Sequence, residues 1–238
     1  MGILHKTILP LVLAGLFSTE GVAEENPDPW EGFNRAMFSF NDHMDRYLLK
    51  PAAKGYRAMT PDPVETSINN AFNNLSEVRN IVNDVLQWKW QQAGNDTGRF
   101  LINSTVGVVG LFDAAGYMGL RQGEGEDFGQ TLAVWGVGRG PFLVLPLFGP
   151  STLRDAVAFP VDTYSNPSVY INDVASRNTL KAFELLNTRA QLLETEELIS
   201  GDRYAFLRDA YLQHREYLVN DGEVEDDFGG DFDDFDYE

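Results

Sequence analysis

Helical spacing dominates the apolar and polar pattern of this chain. Trp30, Phe33, Met37, Phe40, Met44 and Tyr47 recur at intervals of three and four residues, which puts all six on one helical stripe. The simplest expectation for such a stripe is a face buried in protein. A second stripe follows with Ile68, Phe72, Leu75, Val78, Val82 and Val85. The face opposite it holds Asn69, Asn70, Asn73, Asn74, Asn80 and Asn83. Asparagine is a poor helix former, so this concentration marks a wet, uncharged face. It is either solvated surface or the wall of a polar cavity, for which Asn70 and Asn74 are the candidates. Leu180, Phe183, Leu186, Ala190 and Leu193 share a face within a helical region expected over 172–199, and Tyr204, Leu207, Tyr211, His214 and Leu218 share a face of a last helix. No alternation of period two runs through the sequence, so the fold class is mostly α.

Helix starts are written into the sequence. Asp28-Pro29-Trp30-Glu31 and Asp62-Pro63-Val64-Glu65 each combine a capping acid, a proline suited to the first helical position and a glutamate placed to close a capping box. Ser151-Thr152-Leu153-Arg154-Asp155 reads as a further start, with acid in its first turn. Lys50-Pro51 is expected to end the first helical unit, with Pro160 and Pro167 punctuating the chain beyond Asp155.

The middle of the chain is poor in charge. Residues 100–112 and 140–153 carry none. Neither segment reaches the roughly 20 residues of a membrane span, and glycine or proline breaks both. They are also too apolar for loops over a water-soluble core. Helices lying in one leaflet fit this pattern, as does a core buried on both sides. Gly136-Val137-Gly138-Arg139-Gly140-Pro141 lacks the third glycine spacing of a dinucleotide fingerprint and reads as a flexible or tightly turned segment.

Charge and composition narrow the functions. The net charge is −18, but 221–238 contains ten acidic and no basic residues, leaving −8 over the rest of the chain. No basic run exists, which argues against a nucleic-acid partner. The residues from Glu223 to Glu238 interleave acid with Phe228, Phe232, Phe235 and Tyr237 and are expected to form a disordered tail. Lys6, the apolar run from Ile8 to Phe17 and the small residues Gly21 and Ala23 form a secretory signal over 1–23, cleaved after Ala23. There is no cysteine, which excludes thiol nucleophiles and cysteine-based metal sites. The chain has no HExxH metal motif and no Gly-x-Ser-x-Gly elbow. His43 and His214 read as surface or interface residues, and the Glu126-Asp127 pair reads as part of a loop. No catalytic residue, metal site or cofactor is expected.

Several segments together resemble the MlaA (VacJ) family of outer-membrane phospholipid-transport proteins. They are Asp28-Pro29-Trp30-Glu31-Gly32-Phe33-Asn34-Arg35, residues 99–107 (Arg-Phe-Leu-Ile-Asn-Ser-Thr-Val-Gly), Phe128-Gly129-Gln130-Thr131-Leu132, residues 135–146 around the glycine segment, Ser151–Asp155 and Thr188–Leu193. The resemblance spans Asp28 to Glu223 and implies one helical domain over 24–222. It implies a ring-like bundle of amphipathic helices lying in the plane of the outer membrane, in the periplasm-facing leaflet, around a central amphipathic channel. Misplaced outer-leaflet phospholipid would leave through that channel, a trimeric porin would hold the protein, and a periplasmic carrier of the Mla pathway (MlaC-like) would receive the lipid. The resemblance also gives Gly136, Gly138, Gly140 and Pro141 a hinge or gate role. Membrane-facing or channel-region positions are Trp30, Phe33, Met37, Phe40, Phe100, Phe112, Phe142 and Phe148. One departure stands out. Leu13-Ala14-Gly15 is followed by Leu16 where the family commonly has a lipobox cysteine, so no acyl anchor of that kind is expected. A soluble periplasmic lipid-binding module and an envelope scaffold are the other readings.

Overall fold

The computed structural model describes residues 27–194 and 201–222. The proposed signal with Ala23 and the acidic tail from residue 223 lie outside the described residues, as does the end of the third apolar-faced helical region. The described part is mostly helical, as the spacing predicts. In chain order it contains α1 (Glu31–Met44), a π-helical turn (Asp45–Leu49), α2 (Lys50–Met59), α3 (Asp62–Leu86), α4 (Trp90–Thr105), α5 (Ala114–Tyr117) and α6 (Phe128–Val134). A two-stranded sheet of β1 (Phe142–Leu145) and β2 (Gly149–Thr152) follows, then α7 (Leu153–Ser165), a 3₁₀ turn (Pro167–Tyr170), α8 (Val174–Gln191) and α9 (Arg203–Val219).

Several local expectations are corrected. Pro51 does not end the first unit: it sits in the first turn of α2, directly after the π-helical turn. Proline needs no hydrogen-bond acceptor there, and the wider π turn absorbs the irregularity. Pro160 lies inside α7 rather than ending it. Neither acid-proline start makes a side-chain cap. Asp28 is turned inward instead, accepting from Asn34 Nδ2 at 2.7 Å and from the Tyr204 hydroxyl. The Thr152 start is correct: its hydroxyl accepts from the Asp155 amide at 3.2 Å.

The hairpin is the element the pattern does not reveal. Phe142 pairs with Thr152 and Leu145 with Gly149, antiparallel. Phe142 and Val144 are buried while Leu143 and Leu145 are half-buried, so the strand alternates in burial but not in polarity. The free edge of β1 is closed by α1. Asn34 accepts from the Val144 amide at 2.9 Å and donates to the Phe142 carbonyl at 3.0 Å. Two turns on, Asn41 accepts from the Leu147 amide at 2.7 Å and donates to the Leu145 carbonyl at 2.9 Å. Two asparagines seven residues apart thus stand in for a third strand and satisfy an edge that would otherwise invite pairing.

Phe142, Val144 and Tyr204 form an apolar core, with Met37, Phe38, Tyr211 and Leu212 packed against it. Tyr204 meets Phe38 and Phe142 edge-on at 5.6 and 6.3 Å, and Arg35 lies 4.4 Å over its ring. At the other end, Phe183 of α8 packs on Tyr56 and Phe72, while Arg189 grips Asp45 through two bonds of 2.6 and 2.8 Å.

Candidate functional site

The main helix pair is inverted relative to a water-soluble protein. α3 and α4 run antiparallel, joined by a tight turn in which Trp88 takes a left-handed conformation (φ 64°). Their shared interface is polar. Arg99 donates to Glu77 at 3.0 Å, to Asp113 at 3.1 Å and to the Leu120 carbonyl at 2.7 Å. Asn103 bridges Asp113 and the Ala115 amide. Asn80 links Glu77 to the Glu126 amide, and Gln87 and Lys89 bind the Glu126 carboxylate at 2.8 and 2.9 Å. Thr131 of α6 donates to Asn83 at 2.9 Å. The Glu77–Arg99 pair is almost completely enclosed, with side chains 2% and 3% exposed.

The asparagine face is divided: Asn74, Asn80 and Asn83 are packed between helices, Asn69 and Asn70 are half-buried, and Asn73 is exposed. Asn74 is buried and donates to Ser104 at 2.9 Å, and its side-chain oxygen has no partner among the described residues. Gly110, in a left-handed conformation, is what lets the chain approach it: a Cβ there would come within 2.7 Å of the Asn74 Cβ. Asn70 is half-buried and donates to the Leu111 carbonyl at 3.3 Å. Glu126 and Asp127 lie in the loop before α6, as the sequence suggests, but each has partners that the sequence does not reveal. Glu126 organises the α3–α4–α6 junction, and Asp127 caps α6 while accepting two bonds from Arg215. Arg215 holds the Asp127 carboxyl well below the usual carboxylate range, at about 2 despite its burial. Asp84 moves the other way. Burial and the Asp96 and Glu126 carboxylates push it up to about 8.

The exterior carries the large apolar side chains. Trp30, Phe33 and Phe40 are exposed, so the stripe on α1 faces outward and Asn34 faces inward. Phe112 and Phe148 are also exposed, the latter tilted against Phe159 with ring centroids 4.8 Å apart. Val82, Val85, Trp88 and Trp90 continue the apolar surface over α3 and α4. Met37 is half-buried against the core and Phe100 is half-buried. Phe142 differs from these, being 1% exposed at the centre of the core, so it does not face a membrane. Apart from alanines, the buried apolar side chains among the described residues are Phe142, Val144 and Tyr204, against a much larger set of buried amides, carboxylates and arginines. Hydrophobicity and burial have changed places. The sequence shows the two faces, amides and acids on one side of a helix and apolar residues on the other, but not which of them is enclosed.

Gly136 and Gly140 have positive φ values of 88° and 65°, whereas Gly138 does not. A Cβ on Gly140 would meet the Leu153 side chain at 3.1 Å, while Gly136 and Gly138 have open space around them. Pro141 is half-buried, its carbonyl accepting from the Leu153 amide at 3.0 Å. The segment thus links α6 to the pinned hairpin through two residues that require glycine-like backbone. His43 and His214 are exposed and lie on different helices, α1 and α9. Among the described residues no cluster of three or more metal-ligating side chains occurs, and no helix is long and apolar enough to cross a membrane.

Comparison with known proteins agrees with this architecture. The chain is similar to the intermembrane phospholipid transport system lipoprotein MlaA of Escherichia coli strain K12, 35% identical over 220 residues that cover 90% of this chain and 86% of that protein. The protein of the same name from Haemophilus influenzae is 33% identical over 234 residues, 92% of each chain. A solved structure from work on the structural basis for maintenance of bacterial outer membrane lipid asymmetry matches with a TM-score of 0.72 and 36% identity, covering 81% of this chain and 99% of that one. The family model described as MlaA lipoprotein matches residues 26–218, and the chain belongs to that family.

Proposed function

We propose that this protein works in intermembrane phospholipid transport, removing mislocalised phospholipid from the outer leaflet of the outer membrane and passing it to a periplasmic carrier of the Mla pathway. The observation that carries this reading is the exchange of positions between polar and apolar side chains. An exterior bearing Trp30, Phe33, Phe40, Phe112 and Phe148 around an interior of amides and ion pairs suits a protein surrounded by acyl chains. In that setting apolar burial gives helices little reason to associate, and polar contacts between them hold the assembly. In this reading the helices lie within one leaflet, the periplasm-facing one, with their apolar faces among acyl chains. Attachment then needs no acyl chain, which fits a sequence without cysteine. A trimeric porin holds the protein in place. Transport of an intact lipid requires no bond to be made or broken, so the protein acts without catalysis. The names of the relatives and the family support this reading.

Gly136, Gly138, Gly140 and Pro141 form the hinge of a gate beside the lipid path. Alanine at Gly136 or Gly140 strains a left-handed backbone at a cost of about 1 kcal/mol each, too little to unfold the domain. The test is head-group labelling of phospholipid at the surface of intact cells. Deletion of the gene should raise surface phospholipid and the intact gene should restore it. The G136A/G140A double variant should accumulate to normal levels yet leave the defect uncorrected. An unchanged surface after deletion would contradict the transport reading; full correction by the double variant would contradict the hinge.

A further inference from the structure

A cavity of about 460 Å³ lies between the end of the glycine segment, the start of α7 and the last turns of α9. Its polar lining includes Arg139, Thr152, Arg154, Arg215 and Glu216, with Leu212 among its apolar walls. The three arginines are not equivalent. Arg215 is paired with Asp127 and Asp155: its two terminal nitrogens donate to them, and its Nε lies 3.1 Å from Asp155. Together with Arg154, which also meets Asp155, it offsets those two carboxylates. Arg154 is held by one bond, from Nε to Asp155 at 3.1 Å, and its side chain is 6% exposed. Its two terminal nitrogens have no hydrogen-bond partner among the described residues. The Arg139 side chain makes no hydrogen bond or ion pair among the described residues. The two backbones touch, because the Arg154 amide donates to the Arg139 carbonyl at 3.2 Å. One guanidinium without an ion-pair partner, that of Arg139, and the two free terminal nitrogens of Arg154 therefore border one cavity, and the remaining carboxylate facing it is Glu216, on the exposed side of α9.

The Arg154 side chain is largely buried and lines the cavity, where an anion would take up its free donors. Arginine is suited to phosphate because its planar fork gives two parallel bonds to phosphate oxygens. The volume falls within the range of about 300–1,000 Å³ usual for small-ligand sites. That is room for a headgroup, with Leu212 and Val219 offering apolar contact to the carbons next to it. We propose that this cavity binds the phosphate of a phospholipid headgroup through Arg139 and Arg154, with Arg215 fixing the wall. The proposal rests on the phospholipid-transport reading and adds where the headgroup is held. Because Arg139 belongs to the glycine segment, movement of that segment would carry one half of the phosphate grip with it.

The test uses the full chain in detergent micelles and native mass spectrometry with three probes: dioleoyl phosphatidylethanolamine, dioleoylglycerol and glycerol 3-phosphate. The variants are Arg139→Gln, which removes no internal contact, and Arg154→Lys, which keeps the charge and loses the fork. The wild-type protein should prefer phosphatidylethanolamine to dioleoylglycerol. Arg139→Gln should weaken phosphatidylethanolamine binding about tenfold, the loss expected for a charge-assisted pair, and leave dioleoylglycerol unchanged. Arg154→Lys should fall between the two. Equal phosphatidylethanolamine binding by Arg139→Gln and wild type would overturn the site and leave the transport reading intact. Glycerol 3-phosphate bound as tightly as the lipid would overturn it in favour of a site for free phosphate. Failure of the wild type to bind phosphatidylethanolamine at all would overturn the site and the transport reading together.

Discussion

Two regions of this molecule are held together in opposite ways. Around β1, aromatic and aliphatic side chains are enclosed and α1, α9 and the hairpin converge on Phe142, Val144 and Tyr204. Between α3 and α4 the enclosed groups are Glu77, Arg99, Asn80, Asn83, Asp84 and Asp96, while Val82 and Val85 of the same helix point outward. The first region would be stable in water by the ordinary hydrophobic drive. The second makes sense where the surroundings are themselves apolar, so that polar pairing decides which faces meet. The difference teaches that the sign of a helix's amphipathicity is set by its solvent and not by its spacing.

The contrast can be broken by substitution. Arg99→Ala should have the largest effect, about 3–5 kcal/mol of lost stability, because it leaves Glu77 enclosed without its charge partner. Phe142→Leu, which keeps the core apolar but removes part of the ring's volume, should cost less, about 1–3 kcal/mol. Thermal unfolding in detergent micelles would rank the two; a costlier Phe142→Leu would mean that the polar interface is not what holds the helix pair.

Asp84 sharpens the same comparison through pH. Its folded pKa of about 8 lies far above its ordinary value of 3.8. Between those values the folded state binds more proton than the unfolded state, so stability falls as pH rises through that window. Thermal midpoints of the wild type should therefore decline from pH 5 to pH 8, and Asp84→Asn should flatten that decline. An identical slope in the variant would remove Asp84 from the account.

Much of this was legible in the sequence. The stripes on α1 and α3, the start at Thr152 and the charge-poor middle follow from spacing and residue type. The direction in which the stripes face did not follow, since Trp30, Phe33 and Phe40 have the same period whether they meet protein or lipid. The hairpin was hidden because β1 is apolar on both faces and its pairing edge is completed by Asn34 and Asn41, more than a hundred residues away. The roles of Glu126 and Arg215 were hidden for the same reason: their partners, Lys89 and Asp127, come from distant parts of the chain. The arginine cavity joins residues from three elements and has no local motif.

The claim that the apolar exterior meets acyl chains is open to one direct measurement. All four tryptophans, Trp30, Trp88, Trp90 and Trp135, are exposed, with relative exposures of 43%, 72%, 58% and 48%. Their fluorescence should be read after reconstitution into vesicles of phospholipid brominated along the acyl chains. The account predicts strong quenching relative to unbrominated vesicles. Emission that brominated lipid leaves unchanged, while a water-soluble quencher suppresses it, would place this surface in water and contradict the account.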